Sequence, residues 1–421
     1  MTPLPRARRV GVWMGIALVW VYTVAHYVRA AFFYQGYGDF FLLMQTVREW
    51  LATGKFYSDY VYLYPPFFYL LNAPLAHLAD AQAVQVMLAL NHVLLVGCLW
   101  LTWYAIRPRP SRLVWWGLLV PLALNFRPLL LFVSMAKIEM LQLTLLMGAL
   151  LAWHRNHQGL TGALAAVAGM LKPLPLLFML YFVWKRRWRA MWAWGLTVIG
   201  VLALCSLFIT PQHVLAYFVN VAVPRGINVT FWYEDQSLAG VPVRWFAPVQ
   251  PDKFFLSPTE VFGGAVMMGW VLRLALGVWL AVLLRPRRAD ERMRLNGEWS
   301  IMLAGMLLLS PFTRDYYAVF LMPALLFLAA WLHRQSHPWR RAATWLGLVA
   351  YLLIGQGVPL SVVNVLPSVV PGVDNARTYL HYGVPMVGYV LLIAAWAWGW
   401  REAEPQPQDV PEASAPVMTH A

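Results

Sequence analysis

The chain has 421 residues, 61% of them hydrophobic and only 12% charged, with a formal net charge of +14. Soluble domains average about 45–50% apolar and about 25% charged residues, so a water-soluble enzyme is excluded. The positive charge does not point to nucleic acid either, because Lys and Arg sit in short clusters between long apolar runs, where they orient a membrane protein and meet anionic lipid.

In chain order, a basic start (MTPLPRARR) precedes an apolar run over 10–31. That length reads as an uncleaved first span rather than a signal peptide. Further apolar segments of spanning length fall near 85–105, 113–131, 138–154, 190–210, 263–284 and 381–400. Shorter ones lie near 160–171, 173–184, 298–310, 316–332 and 342–357. At about 20 apolar residues per crossing, this predicts about twelve crossings. The stretch 65–79 carries Pro65, Pro66 and Pro74 and reads as an interfacial or partly inserted helix.

With the N-terminus inside, 20 of the 32 Lys and Arg fall on every second loop, from Arg6, Arg8 and Arg9 to Arg401. The alternation turns loops 32–64, 211–262 and 358–380 outward. Residues 1–400 then form one transmembrane catalytic domain, and 401–421, rich in Pro, Ala and acid, a disordered cytoplasmic tail. Cys98 and Cys205 lie in apolar segments, which argues against a disulfide framework. His154, His157, His333 and His337 fall on the inner side, where solvation is expected.

The first outward loop is the most informative. From Phe40, the apolar residues Phe40, Phe41, Leu43, Met44, Val47, Trp50 and Leu51 recur at helical spacing, and Gly54 ends the pattern. An amphipathic helix on the outer leaflet is predicted. Asp39 stands at its start beside Gly36 and Gly38. It reads either as a helix N-cap or as a carboxylate held at the membrane surface for chemistry; both can hold together.

Ionisable residues at membrane depth are functional candidates. Lys172 lies between two short apolar halves beside Pro173 and Pro175, where the broken helix needs a polar cavity; the alternative is a lysine that snorkels to the headgroups. Arg127, Lys137 and Glu139 cluster at the outer ends of two consecutive spans, with Glu139 a partner for Lys137 or Arg127. Arg314 and Asp315 mark another outer end, with Tyr316 and Tyr317 as interfacial partners. Arg127, Lys137, Lys172 and Arg314 can hold a lipid-linked phosphate there. The long outward loop reads FWYEDQSLAGVPVRWF. Glu234, Asp235, Gln236, Ser237 and Arg244 amid aromatics suit a sugar site, or an ordinary solvated loop. The chain has no P-loop, G-x-S-x-G, H-E-x-x-H or zinc spacing. Without an Asp-x-Asp pair in the first loop, no metal or other cofactor is expected.

These residues bring a family into view. Asp39 just after the first span, Gly54 to Tyr57, YPPF at Tyr64–Phe67, KPLP at Lys172–Pro175, QSLAG at Gln236–Gly240 and SPF at Ser310–Phe312 occur in one order. In that order the chain resembles glycosyltransferase family 87 over roughly 10–400. Departures from the family pattern are Ala136-Lys137-Ile138-Glu139 in place of Gly-Gln-x-Asn, Asp235 in place of Asn, and the run Arg314 to Tyr317.

The resemblance implies an all-α polytopic transmembrane protein of the type C glycosyltransferase fold. The implied reaction moves a sugar, mannose or another hexose or pentose, from a polyprenyl-phosphate donor to a lipid or glycan acceptor. The implied setting is the outer face of a bacterial plasma (inner) membrane. Asp39 is implied as general base, with Lys172, Arg314, Arg127 and Lys137 at the donor phosphate. Glu139, Asp235, Gln236, Ser237, Tyr64, Asp315 and Tyr316 are implied at the substrates. Partners are the donor, the acceptor and membrane lipids, with no nucleic acid. The alternatives are a transporter or flippase of lipid-linked sugars, disfavoured by acidic residues at the interface rather than the midplane, and a glycan polymerase or ligase.

Overall fold

Apolar runs with few helix breakers fold into helices because the bilayer leaves no other partner for backbone amides, and helices make up most of the described residues. The computed structural model describes residues 6–33, 37–54, 64–107, 109–222, 229–230, 234–246, 255–256, 263–285, 291–335, 337–355 and 379–403. The described strands are Val229–Thr230 and Phe255–Leu256, which pair antiparallel with Val229 opposite Leu256.

Among the described residues, five helices are long and apolar enough to cross a membrane: Val10–Phe33, Asp80–Ala105, Trp188–Phe208, Gly263–Leu283 and Asp315–Leu332. A sixth candidate, Arg112–Leu124 with Arg127–Val133, is bent by 65°. Shorter apolar helices at Gln158–Leu171, Leu174–Trp184 and Ala342–Ile354 coincide with the shorter segments expected from hydropathy. The Met322–Leu332 helix is enclosed by protein almost all round.

The predicted amphipathic helix is Gly38–Thr53, closed by Gly54 in the left-handed conformation at φ 69°. Only a residue without a Cβ adopts that cap at no cost. Most of its apolar stripe turns to protein, while Phe41 and Leu51 stay exposed. Phe40, Leu43, Met44, Val47 and Trp50 are buried in a cluster with Phe68, Tyr69 and Met87, so the Pro66–Ala76 and Asp80–Ala105 helices cover that stripe. Arg48 fastens the three elements, donating from Nε to the Ala76 carbonyl at 3.0 Å and from Nη1 to Asp80 Oδ1 at 2.7 Å. The 65–79 stretch is an 11-residue helix, Pro66–Ala76.

Side-chain contacts gather near two sets of helix ends. At one, Arg334 donates to the Arg107 carbonyl, Asn296 to the Ala105 carbonyl, and Lys185 and Arg294 both pair with Glu298. His154, expected to be solvated, instead bonds Asn296 Oδ1 at 2.8 Å. At the other end Asp39, Lys137, Glu139, Lys172, Glu234 and Arg314 meet. The helix Val384–Ala403 runs past the expected tail boundary. The rest of the tail, Tyr57, Gly36 and most of the 358–380 loop lie outside the described residues.

Candidate active site

Two apolar clusters meet at the site. Ala136, Ile138, Met170 and Leu171 belong to the cluster under the Gly38–Thr53 helix, while Tyr316 and Tyr317 belong to the main core. Lys137 and Lys172 enter along this seam.

Local backbone chemistry aims each lysine. A turn after Arg127–Val133 places Ala136 at φ 51°, a conformation L-residues adopt only when the surroundings impose it. Asn91 then holds the Lys137 carbonyl at 2.9 Å. Lys172 ends the Gln158–Leu171 helix in extended conformation, as expected for a residue before proline. Gln142 bridges the break, donating to the Ala168 and Lys172 carbonyls at 2.6 and 3.0 Å.

Arg314 is placed by a different device. Asp235 and Arg314 form a short antiparallel bridge, in which Gln236 N donates to the Thr313 carbonyl at 2.6 Å. Asp235 Oδ1 accepts from Ser237 N and Thr313 N, both at 2.9 Å. Ser237 Oγ accepts from Ala239 N and Gly240 N, opening the Gly240–Phe246 helix. Arg244, fully buried, donates to the Asp235 carbonyl and to the His381 carbonyl.

The side chains converge on Asp39. Its Oδ2 accepts from Lys137 Nζ and, at 3.2 Å, from Arg314 Nη1. Arg314 turns Nε and Nη2 toward a second carboxylate, Glu234 Oε2, the Nε contact being 2.7 Å. Lys172 Nζ pairs with fully buried Glu139 at 2.7 Å. Aromatic rings floor the cations. Lys137 Nζ and the Arg314 guanidinium lie 4.9 and 5.1 Å from the Tyr316 ring, and Lys172 Nζ lies 4.0 Å from Tyr317 and 5.2 Å from Tyr64. Such stacking stabilises a cation removed from water. Burial pushes the Lys137 ammonium below the usual lysine value, with Asp39 and Glu139 opposing the shift. Burial likewise pushes the Tyr64 hydroxyl well above the tyrosine norm. A narrow cleft opens beside this cluster, lined by Asp39, Lys137 and Tyr64 together with the apolar Leu43, Phe68 and Met87.

A carboxylate held between cations beside an apolar cleft can take a proton from a hydroxyl while the cations stabilise a leaving anion. The sequence profile of glycosyltransferase family 87 matches residues 62–311, more than half of the chain. The chain belongs to glycosyltransferase family 87. With its membrane-length helices, this family 87 chain is a multi-pass membrane glycosyltransferase. None of the curated proteins matches it at a significant level. Among solved structures it is similar to the crystal structure of ArnT from Cupriavidus metallidurans bound to undecaprenyl phosphate, with a TM-score of 0.45 and 14% identity. The similarity covers 92% of this chain and 78% of that one.

Several expectations for the family 87 chain change. Asp39 is not the cap: the N-cap position is Tyr37, and Asp39 sits in the first turn, where the helix dipole still favours its charge. Glu139 pairs with neither Lys137 nor Arg127 but with Lys172, because the proline break carries Lys172 inward. Lys172 therefore does not snorkel. Tyr316 and Tyr317 are buried under the cations rather than interfacial. Asp235, Gln236 and Ser237 are fully buried and hold backbone; they lie neither on a solvated loop nor in a sugar groove. Arg127 is half-buried, and its charge reaches Asp315.

Glu234, expected at a sugar site, instead anchors Arg314, and Tyr317, Asn91 and Gln142 escaped assignment to the site. The legible signal for the amides was their position inside apolar runs, where each needs a partner. Among the described residues no group of three or more His, Cys, Asp or Glu side chains is arranged to hold a metal ion.

Proposed function

We propose that the protein transfers a sugar, mannose or another hexose or pentose, from a polyprenyl-phosphate donor to a lipid or glycan acceptor. The reaction takes place on the outer face of a bacterial plasma membrane. Asp39 acts as general base. The observation that carries this reading is the meeting of Asp39 with Lys137 and Arg314 on one carboxylate oxygen.

In the reaction, Asp39 takes the proton of the acceptor hydroxyl as its oxygen attacks the anomeric carbon. The bond from that carbon to the phosphate oxygen breaks, and its electron pair stays on the phosphate. The diester becomes a monoester, a stable leaving anion, so no second carboxylic acid has to protonate it, unlike in glycosidases. Lys137, Lys172, Arg314 and Arg127 stabilise the departing phosphate. A single displacement inverts the anomeric centre. The apolar Leu43, Phe68 and Met87 at the cleft are assigned to the start of the prenyl chain, and Tyr64 and Tyr316 to the polar part of the substrates. Glu139 and Asp315 balance charge there, while Asp235, Gln236 and Ser237 serve the site by fixing Arg314. Residues 1–400 form the catalytic domain, followed by a cytoplasmic tail over 401–421.

The test is an assay of purified protein against a panel of polyprenyl-phosphate sugars. One or more donors should support transfer, and free sugar nucleotides should not.

A further inference from the structure

Each of the three cations around Asp39 already holds a carboxylate. Lys172 holds Glu139, Arg314 holds Glu234 and Asp39, and Lys137 holds Asp39. A donor phosphate must therefore compete for charge that the protein has committed. The two sharers differ in freedom. Arg314 is anchored through Nε and Nη2 to Glu234, leaving Nη1 on Asp39. Lys137 has Asp39 as its only ion-pair partner among the described residues, ends a flexible stem, and rests on the Tyr316 ring.

A buried ammonium is costly without an anion, and Lys137 is only 7% exposed. During transfer the charges around it move in step. The phosphodiester arrives with one negative charge and leaves as a monoester with two, while Asp39 loses its own charge by taking the acceptor proton. Total charge is conserved, and the anion facing Lys137 changes identity.

We infer that Lys137 is a hand-over cation, which neutralises Asp39 before transfer and passes to the leaving phosphate as Asp39 is protonated, while Glu234 acts as a positioning residue that keeps Arg314 in place. This rests on the polyprenyl-phosphate reaction proposed above. Arg314 then supplies fixed stabilisation, and Lys137 supplies stabilisation that exists only once the proton has moved. Interactions made only late in the reaction are the ones that raise kcat.

The experiment measures binding of two probes to the full-length protein in nanodiscs: a polyprenyl phosphate monoester and the corresponding sugar diester. Asp39→Asn imitates the protonated base. It should bind the monoester about tenfold more tightly than the unaltered protein, with a much smaller change for the diester. In Asp39→Asn/Lys137→Met that gain should disappear. A gain that survives the second substitution comes from the general field of the site and overturns the hand-over.

A measurement on the unaltered protein needs no variant to fold. At pH 8 the free monoester is already a dianion, so its binding should draw a net proton onto the site. Calorimetry in buffers of different ionisation enthalpy reads that uptake, and its absence overturns the inference. If Asp39→Asn abolishes transfer without tightening the monoester, the hand-over fails and the base assignment stands. If no polyprenyl-phosphate donor is used and no monoester binds, both fail.

Discussion

Asp39 and Arg314 lie 275 residues apart in the chain, yet Asp39 Oδ2 accepts a hydrogen bond from Arg314 Nη1 at 3.2 Å. The contact joins the start of the Gly38–Thr53 helix to the loop that enters Asp315–Leu332. A carboxylate in the first turn of one helix and a guanidinium at the N-terminal boundary of another are thereby held at one point. The Asp235–Arg314 bridge and the Glu234 pair keep the guanidinium there.

The Lys172–Glu139 pair separates structural from functional roles. Lys172→Ala leaves Glu139 charged and buried, which is expected to cost about 3–5 kcal/mol. Thermal unfolding in detergent should shift down accordingly. Lys172→Ala/Glu139→Ala should recover most of that stability but not donor use. Recovery of both would make the pair a strut and nothing more.

Glu234→Gln removes the anchor of Arg314 while leaving its charge. Misplacing such a group costs about 10–100-fold in rate. The loss should fall on kcat more than on the donor KM, as steady-state kinetics can resolve. A change confined to KM contradicts the positioning role.

Lys137 sets an alkaline limb. Its folded-state value is depressed by burial, so the charged form is lost as pH rises, and at a lower pH than for a free lysine. Sugar transfer should decline through that range in a pH–rate profile. Lys137→Arg, which stays charged at all accessible pH, should move the limb upward even if it lowers the maximum rate.

Asp235 offers a contrast between two substitutions. Asp235→Asn keeps the acceptor for Ser237 N and Thr313 N and gives up only the acceptor of the Ser237 hydroxyl, so the backbone bonds of the turn survive. Asp235→Ala leaves buried amides without acceptors, at about 1–3 kcal/mol each. Expression and transfer should be retained far better in the first than in the second. Equal loss in both would mean that the negative charge, through Arg244, matters more than the turn.

Much of this was legible in the residues themselves. Helical spacing from Phe40 to Leu51 located the first-loop helix and Gly54 its end, because both depend on local backbone chemistry. Apolar runs of spanning length located the long helices, since hydropathy is a one-dimensional rule. Partner choice was not legible. Glu139 with Lys172, Arg314 with Glu234 and His154 with Asn296 are contacts between helices distant in sequence, and no spacing rule encodes which helices lie side by side. Burial of the Asp235–Ser237 turn was hidden for the same reason, as a polar run among aromatics looks alike in solvent and in a core.

The central claim is that Asp39 removes the acceptor proton in transfer from a polyprenyl-phosphate sugar. The direct measurement is the turnover of Asp39→Asn beside the unaltered protein, with the active donor from the panel and equal amounts of folded protein in nanodiscs. The account predicts a fall in kcat of about 10²–10⁴-fold with insertion and thermal stability preserved. Turnover at the unaltered rate contradicts it and leaves Asp39 as a helix-end charge that only pairs with Lys137 and Arg314.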